Sequence, residues 1–367
     1  MFRLCNYQSV ITYFGFYESW ILEEEACCRH LGRTISINNI YLLCSRRRMI
    51  TIVGGGPVGC YAAGLLTRQG EQVTVLEEHK SVGKPVQCTG IVTDNLKKHV
   101  DIRKGFVINK TRQIRIYSPA GKVMALELRK PDLVIDRTLF DRHIAGKAMD
   151  LGAEIKTGAR FIRLEGKQIV VRHSGELKKS PFSSLVGADG PLSAVARSCG
   201  IFGNRRFWHG VQARIRVEND NAVDFFPHIG TFAWMVPEDS RTARVGVLAS
   251  KDLRSHFRML IRRYGGKVLE YQGGIVPIYD ENVKTVSDER AAFLVGDAAC
   301  QVKATTGGGI VPGLAAAGAL ADSLLKGRGY EKEWRKRIGR ELWVSLIIRK
   351  ALDKFSENDQ EKLVRLC

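Results

Sequence analysis

The apolar positions change period several times along the chain, and each change marks an element. Residues 50–54, Ile-Thr-Ile-Val-Gly, form a short β-branched run that meets glycines at once. Residues 57–69 then carry the spacing of a helix, and "EQVTVLEE" at 71–78 is a second strand ending in acid. Two strands separated by one helix make a β-α-β unit, the building block of a parallel sheet. The alternation recurs downstream. "VIDRTLFDRHIAGKAMDLGAEI" (134–155) has helix periodicity after an Asp-Arg start. "LVGADGPLSAVAR" (185–197) reads as strand, Asp189-Gly190 turn and helix. "AAFLVGDAACQVKATTGGGIVPGLAAAGALADSLL" (291–325) reads as strand, loop and a Gly/Ala-rich buried helix. Between these segments, 106–128 and 200–290 are β-rich, with turns predicted at "SPAGK" and "PEDSRT"; they predict an inserted sheet that floors a substrate cavity. Near the end, "EKEWRKRIGRELWVSLIIRKALDKF" predicts an amphipathic helix with Trp334, Ile338, Leu342 and Ile348 near one face. No apolar run reaches the roughly 18–20 residues of a membrane span.

The first β-α-β unit carries chemistry. Gly54, Gly56 and Gly59 spell G-x-G-x-x-G between strand and helix. The first glycine permits the tight turn, the second lets backbone approach a pyrophosphate, and the third lets helix pack on strand. Phosphate would sit on the helix N-terminus, where free N–H groups and the helix dipole favour negative charge. Glu77 closes the second strand, where a carboxylate can accept bonds from a ribose 2′-hydroxyl. An acid there argues against a 2′-phosphate. A dinucleotide site follows.

Composition limits the remaining choices. A chain of 367 residues with 44% apolar content can bury one large core or two domains. The formal charge of +19 favours acidic partners: nucleic acid, an anionic membrane or a phosphorylated substrate. The basic residues are scattered, and no zinc-finger spacing or RNP-like aromatic motif accompanies them, so no specific nucleic acid is expected. Nine cysteines without framework spacing, and no signal-peptide pattern, point to a reducing cytoplasm. Without Cys-x-x-Cys pairs or a histidine cluster, no metal is expected.

The four motifs, in this order, resemble the FAD-binding signatures of flavoprotein oxidoreductases with the fold of the aromatic-ring hydroxylases, from residue 49 to about 326. The resemblance implies that Asp297 bonds the ribityl chain of FAD and that Gly309 and Ile310 lie beside the isoalloxazine ring. It also implies that Arg137 approaches the nucleotide and that the backbone at Ala159 faces the adenine. A helix N-terminus at Gly309 would stabilise negative charge on the reduced ring. Two-nucleotide disulfide reductases carry a second nucleotide domain and a Cys-x4-Cys pair. Cys88 has no partner at that spacing, so a dithiol mechanism is disfavoured.

Two further stretches narrow the likeness. "GKPVQCTGIV" (83–92) and "GTFAWMVPEDSRTARVGVLAS" (230–250) resemble the geranylgeranyl reductase family, which has a cysteine then a glycine near the flavin and a Tyr-x-Trp-x-Phe-Pro motif along the lipid cavity. By that resemblance Cys88 and Gly90 lie at the flavin, with Cys88 the catalytic candidate. Phe232, Trp234 and Pro237 would line the substrate. Phe232 and Val236 replace the family's tyrosine and phenylalanine, which keeps an apolar cavity but removes a hydroxyl. Archaeal members saturate isoprenoid chains of membrane lipids. The implied activity is therefore hydride transfer from reduced FAD to a prenyl alkene, with NAD(P)H or ferredoxin as electron donor. The implied setting is cytoplasmic, at the inner face of an anionic membrane. A flavin monooxygenase or halogenase on the same scaffold is the alternative; a halogenase is expected to show Trp-x-Trp-x-Ile-Pro.

The expected fold is α/β: a Rossmann-like FAD-binding domain (49–105, 129–199 and 291–326), an inserted antiparallel β-sheet substrate domain (106–128 and 200–290) and short C-terminal helices (327–367). Residues 1–48 match nothing in the family and hold four of the nine cysteines, Cys5, Cys27, Cys28 and Cys44. The expectation is that Met49 is the true start, with a genuine extension as the alternative.

Overall fold

The computed structural model describes residues 48–102 and 105–366; the expectations for the four N-terminal cysteines and their segment lie outside the described residues. β1 (Met49–Val53) is buried from Ile50 onward and turns through glycines into α1 (Pro57–Arg68). Pro57 opens the helix where its missing N–H costs nothing, and Gly56 precedes it in the extended backbone that a residue before proline prefers. β2 (Gln72–Glu77) returns parallel to β1, with Val53 opposite Leu76. After the short β3 (Ile91–Val92), β4 (Val107–Tyr117) and β5 (Val123–Ile135) form a long hairpin that turns at the predicted "SPAGK" site. There the Ser118 N–H donates to the Lys122 carbonyl at 2.9 Å.

α2 (Arg137–Asp150) is capped by Asp136, whose carboxylate accepts the Leu139 N–H at 2.9 Å. The helix is shorter than the 134–155 periodicity predicts. Val134 and Ile135 finish β5, and Gly152, at φ +99°, turns the chain into β6 (Glu154–Thr157). β7 (Ala159–Glu165), β8 (Gln168–His173) and β9 (Glu176–Pro181) make a small antiparallel sheet. β10 (Ser184–Gly187) and α3 (Ala194–Ser198) follow. Then come β11 (Phe207–Arg216), β12 (Val223–Phe226), β13 (Phe232–Asp239), β14 (Thr242–Ala249), α4 (Leu253–Tyr264) and β15 (Lys267–Pro277). β16 (Val286–Ser287), β17 (Ala292–Leu294) and α5 (Ile310–Lys326) precede the C-terminal helices α6 (Tyr330–Trp334), α7 (Arg340–Leu352) and α8 (Glu357–Leu366).

Two sheets position the site. One runs β16-β17-β10-β1-β2-β6, parallel except at β16. The other runs β15-β11-β14-β13-β12-β4-β5-β3, antiparallel except where β12 meets β4. β5 carries the second sheet as far as Ile135, so residues 129–135 hydrogen-bond within it. α1 and α5 pack closely because Gly313 lacks a side chain: a Cβ there would sit 2.6 Å from Val58 Cγ2.

At the C-terminus Trp334, Ile338 and Leu342 are buried as predicted, but Ile348 is 47% exposed. Leu346 and Arg349 take the inward positions instead. The physical reason is phase. A π-helical turn at Arg335–Gly339 holds residues four apart on one line, and α7 then buries Leu342, Ser345, Leu346 and Arg349 at the ordinary α spacing. Six residues beyond Leu342 points away from that stripe, and seven returns to it.

Candidate active site

The motif turns open at one edge, the carboxyl ends of the parallel strands, where open α/β sheets bind ligands. Gly54 follows β1, Glu77 ends β2, Asp189 follows β10 and Asp297 follows β17. Each fingerprint glycine has a distinct environment. Gly54 has φ +108°, and a Cβ there would lie 2.2 Å from the Ala188 carbonyl oxygen. A Cβ on Gly59 would lie 2.1 Å from the Gly54 oxygen. Gly56 faces open space, with no atom within 4 Å of the position a Cβ would take. Two glycines therefore close the turn on the protein, and the middle one leaves a gap above the first turn of α1. Among the described residues no side chain caps that turn, which leaves its first N–H groups free for an anion.

The polar groups around the gap are distributed to suit a nucleotide. Glu77 Oε2 accepts the Gly55 N–H at 2.7 Å, and Oε1 accepts the His79 N–H at 2.9 Å with His79 Nδ1 at 2.6 Å. Each oxygen has two lone pairs, so Oε2 keeps capacity for a hydroxyl donor. Asp189 Oδ2 accepts the Val195 N–H at 3.0 Å, whereas its buried Oδ1 has no partner among the described residues. Burial raises the Asp189 pKa. Asp297 has no protein donor among the described residues, and burial pushes its carboxyl up to about 6 against the pull of the Arg137 cation. A Cβ on Gly309 would lie 2.8 Å from Asp297 Oδ1, so the carboxylate lies at the start of α5. Ala159 is buried at the start of β7, and its neighbour Gly158 donates to the His79 carbonyl at 2.9 Å.

Arg137 and Asp141 form a buried bidentate pair at 2.9 and 3.1 Å, one turn apart on α2. Burial opposes the Arg137 charge, but Asp141 and the adjacent Cys88 sulfur outweigh it and keep the guanidinium protonated. The Cys88 sulfur also accepts the Gly90 N–H at 3.3 Å. Gly90 itself has φ +76°, and a Cβ there would lie 2.5 Å from the Ile135 oxygen.

Beside these groups lies a cavity of about 420 Å³. Its walls include the strip 87–93 and the glycine loop with Gly309 and Ile310. Its floor is the large sheet, and strand register shows how that floor is composed. One transverse row reads Gln272, Gln212, Gly246, Trp234, Phe225, Ile116 across β15, β11, β14, β13, β12 and β4. Cross-strand partners share a face, so the floor grades from amide to aromatic to aliphatic. A second row continues Val236, Val223, Ile114 and Leu126 to β5. From β13 to β5 the apolar floor spans three strand spacings, about 14 Å. At the polar end, Gln212 Nε2 donates to Gln272 Oε1 at 2.5 Å and the Thr89 hydroxyl donates to Gln212 Oε1 at 2.9 Å. Gly246 lets the Trp234 indole lie flat: a Cβ there would sit 2.4 Å from its ring. The buried Trp234 Nε1 has no partner among the described residues.

Phe232 and Trp234 line the cavity, as does Val236. Pro237 belongs to the opposite face, a correction that follows from the two-residue period of β13. Its neighbours on that face, Ala233 and Met235, pack with Phe257 and Ile261 of α4, and its carbonyl accepts from Asn109 at 3.0 Å. Next to the floor, on the face that Val236 shares with its cross-strand partner Arg244, buried Glu238 bridges Arg214 at 2.8 Å and Arg244 at 2.6 Å. Arg244 in turn donates to the carbonyls of Thr89 and Ile135, tying the Cys88 strip to the sheet. The floor row escaped the sequence reading because only register brings its members together.

Comparison with known proteins agrees with this arrangement. The profile of the pyridine nucleotide-disulphide oxidoreductase family matches residues 49–117. The chain resembles curated archaeal prenyl-lipid reductases along most of its length. It is 28% identical over 352 residues to digeranylgeranylglycerophospholipid reductase 2 of Methanothermobacter thermautotrophicus, covering 86% of this chain and 90% of that one. Among solved structures, a geranylgeranyl bacteriochlorophyll reductase-like protein from Thermoplasma acidophilum superposes with a TM-score of 0.77 at 23% identity, covering 87% and 91% of the two chains. A flavin-dependent halogenase, CmlS, gives 0.61 at 16% identity over 83% of this chain and 61% of its own. The fold is that of the FAD-dependent oxidoreductases.

Proposed function

We propose that the protein is an FAD-dependent reductase that saturates carbon–carbon double bonds of isoprenoid chains in membrane-lipid biosynthesis. The observation that carries this reading is the apolar floor running about 14 Å from Trp234 to β5, directly beside the glycine loop at Gly309. The residues present fit FAD: the gap over Gly56, the spare capacity of Glu77, the orphaned Asp189 oxygen and the unbonded Asp297 carboxylate each suit one part of it. When bound, the reduced cofactor supplies hydride at its isoalloxazine ring, and NAD(P)H or a ferredoxin reloads it.

The protein's own groups then position and exclude. An unactivated alkene offers no oxyanion to stabilise, so catalysis rests on placement, dryness and a proton. The Trp234, Phe225 and Ile116 row holds the chain flat. Arg244 and Glu238 fix the Cys88 strip against the floor. The uncapped N-terminus of α5 favours negative charge beside Gly309. Among the described residues no helix is long and apolar enough to cross a membrane. Peripheral contact with an anionic bilayer is supported by α7: Trp343, Val344, Ile347 and Ile348 are exposed together, with Arg340, Lys350 and Lys354 nearby in sequence. That helix is tied to the loop before Gly309 through Ser345, whose hydroxyl accepts the Thr305 N–H at 3.0 Å.

The test is NAD(P)H consumption in air by the flavin-loaded protein. A reductase leaves oxygen largely untouched. Rapid oxidation with stoichiometric peroxide, or hydroxylated product, would sink the reading in favour of a monooxygenase.

A further inference from the structure

We propose that Asp132 is the acid that delivers the proton to the alkene carbon opposite the one receiving hydride. This rests on the reductase reading above and adds the group that reading leaves unnamed. Among the described residues three ionisable side chains line the cavity: Cys88, Asp132 and Lys303. Their surroundings separate them. The Cys88 sulfur is already engaged: it accepts the Gly90 N–H at 3.3 Å and lies beside the Arg137 guanidinium. Lys303 Nζ is held by Glu341 of α7 at 2.5 Å. Among the described residues the Asp132 side chain has no hydrogen-bond partner, so its carboxyl group is available to a ligand.

Its position suits the task. Asp132 sits on β5 one residue before Leu133, which pairs with Val92 on the wall strip. Lys303 begins the glycine loop, donating its N–H to the Gly308 carbonyl at 3.2 Å and accepting the Gly307 N–H at 2.9 Å. Asp132 therefore faces the loop that ends at Gly309. The charged groups around it are Lys303 from that loop, Glu341 behind Lys303, and Asp94 from the turn after β3, itself paired with Lys97 and Lys130. Burial holds the Asp132 carboxyl at about 6; Lys303 pulls it down and Asp94 pushes it up. An acid in that range is partly protonated near neutrality and strong enough to donate.

The step balances. The Asp132 O–H bond breaks and a C–H bond forms at one alkene carbon. The hydride equivalent at the other carbon would come from reduced FAD held in the adjoining site, which would be left oxidised. Asp132 is left as carboxylate, and solvent at the Lys303 end returns its proton.

The test compares wild type with Asp132→Asn, Asp132→Glu and Cys88→Ser, all loaded with FAD. Infrared difference titration, which needs no turnover, should show two carboxyls titrating near pH 6 in wild type, Asp132 and Asp297, with the Asp132 band absent in D132N. With pre-reduced protein and saturating prenyl lipid, D132N should slow saturation at least about 100-fold. It should also lose the fall in rate above pH 6 and keep its flavin content, while D132E recovers part of the rate. C88S should retain the pH-dependent fall. A D132N protein that keeps that band, or saturates lipid within threefold of wild type, overturns the proposal. If D132N does not fold, a D132E profile with an unshifted limb overturns it equally. A wild type that saturates no prenyl chain overturns the reductase reading itself, a result distinct from an active wild type with an indifferent variant.

Discussion

Gly56→Ala separates binding from folding. The backbone at Gly56 has φ −69° and ψ 174°, which alanine adopts without strain, and no atom lies within 4 Å of the new methyl. Alanine is a slightly poorer N-cap than glycine but restricts the unfolded chain, so the two effects oppose and stability should stay within about 1 kcal/mol. The methyl instead enters the space assigned to the pyrophosphate. Losing even one charge-assisted N–H bond to phosphate costs about 1.5–3 kcal/mol, or roughly 10- to 150-fold in FAD affinity. Gly59→Ala is the contrast: its Cβ would lie 2.1 Å from the Gly54 oxygen, so overpacking of about 1–3 kcal/mol should lower stability together with binding. Urea melts of the apoprotein and flavin fluorescence titration measure the two quantities. A Gly56→Ala protein that folds and takes FAD with wild-type affinity would refute the assignment of that gap.

Further perturbations address other links. Glu238→Gln leaves Arg244 buried without its carboxylate; a loss of about 3 kcal/mol in urea unfolding is expected, and no loss would mean the bridge is unimportant. Asp297 has a raised folded pKa, so its protonated form favours the folded apoprotein. That contribution is full below about pH 4 and is lost as pH rises through about 6. Apoprotein Asp297→Asn should therefore lose less stability than wild type across that window, read as thermal midpoints; parallel curves would contradict it. Trp343→Glu with Ile347→Glu should reduce sedimentation with anionic vesicles while leaving FAD affinity unchanged. Equal sedimentation would remove α7 from any membrane contact.

The glycine turn proposed to hold the nucleotide was legible because its determinants are local. A glycine run between a β-branched strand and a helix, followed by acid at the next strand end, specifies a turn and an anion site within thirty residues. Asp189 and Asp297 were legible for the same reason. The cavity was legible only in part. Resemblance alone placed Phe232, Trp234 and Pro237 together, whereas alternation along β13 puts Phe232 and Trp234 on one face and Pro237 on the other. The rows through Gln212, Phe225 and Ile116 depend on register among strands distant in sequence, which no local pattern encodes. Asp132 gave one clue, a lone carboxylate leading an apolar strand end, "PDLVI", whose meaning needed the neighbouring Lys303 loop. The misplacement of Ile348 came from the π turn, which shifts helical phase without a local sequence mark.

The most direct test of the account is saturation of a geranylgeranyl glycerophospholipid by the FAD-loaded protein under anaerobic dithionite, followed by mass spectrometry. The account predicts a mass gain of one hydrogen molecule for each double bond reduced. Protein that binds FAD and is reduced by dithionite, yet returns the lipid with its mass unchanged, would contradict it.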